Sequence, residues 1–221
     1  MIAREGPETI EVDGDLAPLV ERLRSRLASP SHSQRFVLGI TGAPGVGKST
    51  LADALARRLG PRLAVTVPMD GFHIATAALA VGQLERRGAI DTFDVGGYVA
   101  LLERLRRNTE PVVYAPGFER DLEEPIAGIL PIRREVPIVI TEGNYLLAGE
   151  PGWREVRGLL DEVWFLEEDA EVRLKRLVAR HIRFGKTPEH ARAMAEGSDE
   201  RNARAIDKHR SAADAIVRFT A

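Results

Sequence analysis

The chain has 221 residues, of which 44% are hydrophobic and 29% are charged, and its formal net charge is −2. This size and composition suit one α/β domain over residues 1–221, and the small charge gives no field that would attract nucleic acid or a membrane. The lack of cysteine excludes disulfides and thiolate chemistry, and the lack of an apolar leader or a run of transmembrane length leads us to expect a cytoplasmic protein.

The first predicted element is an amphipathic helix over residues 15–28. Leu16, Leu19 and Leu23 recur at helical spacing, and charged residues occupy the other side. Ser29-Pro30 is predicted to end this helix. We predict a packing role for it and no catalytic role.

A glycine-rich segment, Gly42–Thr50, follows the short apolar run Phe36–Ile40 and precedes a helical leucine stripe that starts at Leu51. It fits G-x-x-x-x-G-K-[ST], the pattern of the phosphate-binding P-loop, in which Lys48 reaches the β- and γ-phosphates and the Ser49 hydroxyl ligates Mg²⁺. The chain is therefore predicted to bind a nucleoside triphosphate. The predicted cofactor-binding residues of this loop are Gly42, Ala43, Pro44, Gly45, Val46, Gly47, Lys48, Ser49 and Thr50.

An aspartate follows the second predicted strand, residues 63–67. Asp70 could accept the proton of an attacking hydroxyl in phosphoryl transfer, or it could be a turn residue before Gly71. His73 lies three residues further on and either faces a substrate or packs in the protein. The residues alone leave both pairs of interpretations open.

The middle of the chain is less regular. Residues 74–93 are predicted as irregular, and a helix begins near Tyr98 with Asp94 as its cap. A short strand at 111–114 is followed by a Pro/Gly loop through Asp121, and residues 126–132 are predicted as a hairpin arm.

A second acidic residue, Glu142, ends the buried-type strand predicted at 137–140. In this position a carboxylate holds Mg²⁺ or contacts the substrate, although a strand-end acid can also cap a helix. Functional groups gather at the carboxyl ends of parallel strands. We therefore expect the P-loop, Asp70 and Glu142 to lie side by side.

The last third of the chain contains predicted strands at 163–166 and 215–219 and a long helix at about 169–184. The helix has an apolar stripe that includes Leu177, and Arg173, Arg176, Arg180 and Arg183 are assigned to another face. Charged faces are often only solvated. An arginine-rich segment here would also serve as a phosphate-closing lid, which we assign to residues 169–190.

The alternation of strands and helices predicts an α/β fold: a P-loop NTPase three-layer sandwich, with a mostly parallel sheet, helices on both faces and an Arg-rich lid. The segments Gly42–Thr50, Met69–His73, Tyr114–Arg120 and Glu142–Leu147, with the arginine-rich lid, resemble the phosphoribulokinase/uridine kinase family. The resemblance is greatest to its nucleoside/nucleotide-kinase-like and fructose-transport-system-kinase-like subgroup, and the family includes bacterial pantothenate kinases. It covers the chain from about Phe36 to Phe219.

This resemblance implies a kinase that uses ATP and Mg²⁺ to phosphorylate a hydroxyl of a small metabolite: a sugar such as fructose, a nucleoside, or a pantothenate-like acceptor. Catalytic roles fall on Asp70, Lys48, Glu142 and Arg180, with Ser49 and Glu142 as metal ligands and Arg180 and Arg183 at the nucleotide. Acceptor contacts fall on Asp70, His73, Tyr114, Arg120, Glu142 and Tyr145. Uridine kinases carry histidine at the position of Glu119, and this difference favours a sugar or other polyol.

One alternative function is a regulatory protein that binds nucleotide through the P-loop without a small-molecule acceptor. A switch GTPase would need an Asn/Thr-Lys-x-Asp motif, which the sequence lacks. The expected partner is a small-molecule substrate, with no nucleic acid and no membrane, and both a monomer and a homodimer are left open.

Overall fold

A parallel sheet of six strands forms the centre of the molecule. The computed structural model describes residues 6–28 and 35–220. Across the sheet the order is β1 (Glu8–Val12), β8 (Ala215–Phe219), β7 (Glu162–Glu167), β2 (Phe36–Thr41), β6 (Ile138–Glu142) and β3 (Ala64–Pro68). The central strands are buried on both faces, which explains their continuous apolar runs. The predicted α/β fold with a parallel sheet is confirmed.

Helices pack on both faces of this sheet. One face is covered by α1 (Ala17–Ala28) and α2 (Lys48–Leu59), and the other by α3 (Val95–Arg107) and α4 (Trp153–Gly158). Successive side chains of a strand point to opposite faces of the sheet. Val37 of β2 accordingly packs in the core on the α3 side, and Leu38 packs in the core on the α2 side. None of the helices in the described ranges combines the length and the apolar character needed to cross a bilayer.

The N-terminal packing helix is present and begins two residues later than predicted. Asp15 Oδ1 accepts a hydrogen bond of 3.0 Å from the Ala17 amide, so this aspartate lies outside the first turn and stabilises it. Leu19 and Leu23 are fully buried, and Arg22 Nε donates to Glu162 at 2.6 Å. Ser29-Pro30, predicted to end the helix, lies outside the described residues.

The region after α3 forms an antiparallel hairpin of β4 (Val112–Glu119) and β5 (Glu124–Arg133). The prediction of a loop from residue 115 onwards was wrong, because the strand continues through Pro116 by means of a register shift between Ala115 and Gly117. Proline lacks the N–H that a regular ladder needs and is tolerated at such a bulge. The hairpin passes so close to Gly71 that a Cβ there would lie 2.4 Å from the Pro116 carbonyl oxygen.

Between β3 and α3, residues 74–93 contain only short 3₁₀ turns, as predicted. Asp94 Oδ1 accepts a hydrogen bond of 2.9 Å from the Gly97 amide and caps α3, which confirms the predicted cap. After β7, the chain forms α5 (Ala170–Arg183), α6 (Pro188–Met194), a π-helical turn (Ala195–Asp199) and α7 (Glu200–Asp207) before it returns to the sheet as β8.

Candidate active site

Three strand ends meet at the carboxyl edge of the sheet. Glu142 at the end of β6 is paired in register with Ile40 of β2 on one side and with Pro68 of β3 on the other. The glycine-rich loop leaves β2 at this edge, and Asp70 follows β3 by two residues. Since neighbouring strands lie about 4.8 Å apart, these groups surround one small volume. The predicted side-by-side arrangement of the P-loop, Asp70 and Glu142 is confirmed.

The glycine-rich loop has a backbone that other residues could not easily adopt. Gly42, Gly45 and Gly47 have φ angles of 144°, 79° and 103°. A Cβ at Gly42 would lie 2.5 Å from the Leu166 carbonyl oxygen, and one at Gly45 would lie 2.7 Å from Leu177 Cγ. The loop is therefore packed between β7 and α5, and glycine satisfies both the torsion angles and the close approach.

Lys48 lies inside this loop at the start of α2. Its Nζ donates hydrogen bonds of 2.9 Å to the Gly42 carbonyl and 3.1 Å to the Ala43 carbonyl. Burial lowers the pKa of Lys48 to about 8, and the carboxylates of Glu142 and Asp70 oppose that shift. The amine is thus held among groups of the phosphate loop, where it can contact a bound polyphosphate.

Ser49 and Glu142 form the pair that could hold a metal ion. The Ser49 hydroxyl donates to Glu142 Oε1 at 2.9 Å, and the Glu142 side chain is buried. Burial, with a further contribution from the charge of Asp70, raises the pKa of Glu142 to about 7. A hydroxyl and a carboxylate oxygen in contact are the hard ligands that Mg²⁺ prefers when phosphates complete its shell, so the residues present fit this ion.

We predict that Glu142→Gln changes the pH dependence of stability in the metal-free protein. The raised pKa means that the folded state holds the Glu142 proton more tightly than the unfolded state does. Protonated Glu142 therefore makes its full contribution to wild-type stability below about pH 4.5, its ordinary pKa. That contribution is lost as the pH rises through about 7. As the pH rises from about 4.5 to above 7, the free energy of unfolding of the variant should therefore increase relative to that of wild type by up to about 3 kcal/mol.

Urea unfolding of both proteins at several pH values, without Mg²⁺ or nucleotide, measures this difference. Glu119→Gln, a change at a carboxylate on the hairpin, is the control. A stability difference between Glu142→Gln and wild type that does not vary with pH would contradict the prediction.

Asp70 lies on a 3₁₀ turn, Met69–Phe72, and its side chain is partly exposed. Arg120 Nη2 approaches Asp70 Oδ2 at 3.7 Å from the tip of the hairpin. These residues open into a cavity of about 290 Å³, which we call the transfer cavity. Phe118, Ile129 and Leu130 of the hairpin line part of it. Its polar and charged lining residues are Ser49, Asp53, Thr66, Asp70, Arg120 and Glu142.

His73 is held beside this turn by packing. Its Nδ1 donates to the Asp70 carbonyl at 2.8 Å, and its ring lies 4.1 Å from Phe93 and 4.9 Å from Phe118, centroid to centroid. Burial lowers the pKa of His73. Of the two interpretations that the sequence left open, these contacts favour the packed histidine, which fixes the backbone of Asp70.

The two tyrosines predicted to contact the acceptor do not line the transfer cavity. Tyr114 is 60% exposed on β4. The Tyr145 hydroxyl donates to the Gly88 carbonyl at 2.7 Å, and its ring packs on Phe93 and Trp153. Their substrate roles remain predictions, and the contacts of Tyr145 hold its side chain in the protein interior.

Two of the arginines of α5, Arg173 and Arg176, form polar contacts within the protein. Arg173 is buried and donates from Nη1 to the Pro44 carbonyl at 3.0 Å, while Arg176 Nη2 forms an ion pair of 2.9 Å with Glu168. The prediction that Arg173 lies on a face separate from the apolar stripe was wrong, because Arg173 and Leu177 are the residues of α5 that are buried together. Their spacing of four residues is the signal that could have shown it.

The predicted lid residues Arg180 and Arg183 are both exposed on the last turns of α5. The positive charge of Arg180 contributes to the lowered pKa of Lys48, after the larger effect of burial. Arg183 lies 5.9 Å from the ring centroid of Phe184, and Arg120 approaches the same ring at 5.9 Å. Phe184, within the predicted lid region, thus lies between Arg183 of the lid and Arg120 of the hairpin beside Asp70.

A larger cavity of about 590 Å³ adjoins the other side of the phosphate loop. Ala43 and Val46 of the loop line it together with Arg173, Arg210 and Arg218. Glu167 lies in the same cavity and pairs with both Arg210 and Arg218. This cavity is open to the loop and has the size of a small-molecule site.

A lysine and a hydroxyl on a glycine-rich loop, set beside two strand-end carboxylates, are the arrangement with which P-loop kinases bind a nucleotide and its acceptor. No protein-family model matches the chain. A Schizosaccharomyces pombe protein that carries the provisional name uridine kinase is 32% identical over an alignment of 197 positions, which covers 84% of this chain and 84% of that protein. The chain belongs to the phosphoribulokinase/uridine kinase family of P-loop kinases, as this relative shows.

Two solved structures have the same fold. One, from Silicibacter sp. TM1040, is provisionally named a fructose transport system kinase; it is 39% identical, with a TM-score of 0.82 over 92% of this chain and 98% of that chain. The other is Saccharomyces cerevisiae YFH7, described provisionally as a P-loop kinase with a circular permutation. It is 20% identical, with a TM-score of 0.80 over 94% of this chain and 99% of that chain.

Proposed function

We propose that the protein is an ATP-dependent kinase that transfers the γ-phosphate to a hydroxyl of a small metabolite, such as a sugar, a nucleoside or a pantothenate-like acceptor. The observation that carries this proposal is the enclosure of one cavity by Ser49, Asp70 and Glu142 beside the phosphate loop. A nucleotide-binding regulator without an acceptor would have no use for Asp70 and Arg120 at that cavity.

The phosphates of ATP are assigned to the loop Gly42–Thr50, where backbone N–H groups and the N-terminus of α2 face them. The adjoining 590 Å³ cavity has room for the nucleoside part. Lys48 would exchange its carbonyl partners for the β- and γ-phosphate oxygens. Ser49 and Glu142 would hold Mg²⁺, which supplies charge neutralisation on those oxygens when it is bound.

In the transfer step, the acceptor oxygen forms a bond to the γ-phosphorus while the bond from that phosphorus to the β–γ bridging oxygen breaks. The acceptor proton passes to Asp70, and the bond electrons leave with ADP. Lys48 and Arg180 stabilise the negative charge of the transferring group. Closure of the segment around Phe184 would exclude water, which is a competing acceptor.

The test is acceptor-dependent formation of ADP by the purified protein, with Mg²⁺·ATP and a panel of sugars, sugar alcohols, nucleosides, hydroxy acids and pantothenate. The proposal expects one chemical class to accelerate ADP formation far above the rate without acceptor, with a phosphorylated product detected by mass spectrometry. Tight ATP binding with no phosphorylated product from any panel member would favour the regulator.

A further inference from the structure

A third cavity, of about 160 Å³, lies at the same edge of the sheet between the loop before α3 and helix α7. Asn144, two residues after the end of β6, and Asn202 of α7 both line it. Buried Leu147, Phe165 and Ile206 also line it and supply its apolar surface. The structure thus provides a small pocket that is lined by two carboxamides and by apolar side chains.

The two carboxamides are not used within the protein. Neither the Asn144 nor the Asn202 side chain forms a hydrogen bond with any residue in the described ranges 6–28 and 35–220, although both residues are partly buried. A carboxamide presents a carbonyl acceptor and two N–H donors. A ligand hydroxyl, which both donates and accepts, is the group that such a pair can satisfy.

The charges around this cavity disfavour an anion. The Arg86 guanidinium donates to Asp91 at 3.1 Å and 2.7 Å, so its charge is paired. Glu150 adds a second carboxylate to the lining. His209 and Tyr145 complete the titratable lining. The cavity lining therefore includes two carboxylates and no unpaired arginine or lysine, so it offers little attraction to a phosphorylated or carboxylated ligand.

The cavity is also close to the proposed base. Pro68 and Glu142 are paired in register, Asp70 lies two residues beyond Pro68, and Asn144 lies two residues beyond Glu142. Asp70 and Asn144 therefore leave adjacent strands at the same level. Tyr145 lines the cavity, and the charge of Asp70 contributes, after the larger effect of burial, to the raised pKa of its hydroxyl, so Tyr145 lies between Asp70 and the cavity. The inference requires an acceptor that spans from Asp70 past Tyr145.

We propose that this cavity is the specificity pocket for the acceptor, that the acceptor is a neutral polyhydroxylated molecule of sugar size, and that Asn144 and Asn202 bind its hydroxyls. This inference rests on the proposed kinase function and adds the substrate class and the residues that select it. Loss of one carboxamide leaves a hydroxyl of the bound acceptor without a hydrogen-bond partner. The acceptor should then bind more weakly, while ATP binding is unaffected.

The experiment is calorimetric titration of neutral sugars and sugar alcohols, and of glycerate and pantothenate as anions, into the protein with Mg²⁺ and a non-hydrolysable ATP analogue. Neutral polyols should bind and the anions should not. Asn202→Leu, which keeps the side-chain size, should raise the Kd and the acceptor KM of the best polyol about tenfold or more with KM for ATP unchanged. Arg201→Ala, an exposed change on the same helix, should leave all three at wild-type values.

The outcomes separate this inference from the proposed function. Phosphorylation of only anionic acceptors, an unchanged acceptor KM in Asn202→Leu, or no binding of any neutral polyol would each overturn the inference and leave kinase function standing. A polyol that binds wild type but not Asn202→Leu, and is never phosphorylated, would support the pocket and overturn the kinase.

Discussion

Replacement of Asp70 by asparagine is expected to lower kcat by about 10²–10⁴-fold, because the variant keeps the size of the side chain and loses the proton acceptor. ATP binding should remain near its wild-type value, since Asp70 lies on the acceptor side of the transfer cavity and the nucleotide is assigned to the loop Gly42–Thr50. Single-turnover rates and ATP titrations of wild type and variant measure the two effects separately.

Asp121→Asn provides the matched control, since that aspartate is exposed in the hairpin turn two residues after the end of β4. It should have wild-type kcat. If Asp70→Asn keeps turnover within a few-fold of wild type, Asp70 is not the base, and its interaction with Arg120 is only structural.

Lys48→Ala should damage nucleotide binding and turnover together. The buried amine is held by the Gly42 and Ala43 carbonyls, and no other lysine belongs to the loop. Loss of a preorganised charge that stabilises a developing anion costs about 10²–10³-fold in rate. We expect kcat/KM for ATP to fall by at least this factor, measured by initial rates over a range of ATP concentrations.

The control for Lys48→Ala is Lys175→Ala, which removes an exposed lysine from α5. It should leave ATP affinity and turnover unchanged. ATP affinity that is equal in wild type and Lys48→Ala would exclude the proposed contact of Lys48 with the phosphates.

Prediction from the sequence succeeded where local signals and burial agree. The strands β2, β6 and β7 are apolar throughout because both sheet faces are covered, and the phosphate loop has a specific glycine spacing. Strand β1 was not predicted, because Glu8–Val12 is half-polar and is fixed by its pairing with β8, over 200 residues away. The short helix α4 and the helices α6 and α7 also gave no periodic signal long enough to recognise.

The residues of the candidate site that follow strand ends could be predicted from the sequence. The residues contributed by other elements were harder to predict. Glu142 and Asp70 could be located because parallel strands bring their carboxyl ends together. The opposed positions of Asn144 and Asn202 depend on how α7 returns to the sheet, which no local pattern reports. The single-domain assignment of residues 1–221, the catalytic roles and the oligomeric state stay predictions.

The packing of Gly45 against Leu177, with Arg173 bound to the Pro44 carbonyl, has a consequence for local unfolding. Segments that share buried contacts open as one cooperative unit. Backbone amides of the loop and of the first half of α5 should therefore exchange with deuterium through a common opening, while those beyond Arg180 exchange through smaller ones. Occupancy of the loop by nucleotide would then slow exchange in the first half of α5 together with exchange in the loop.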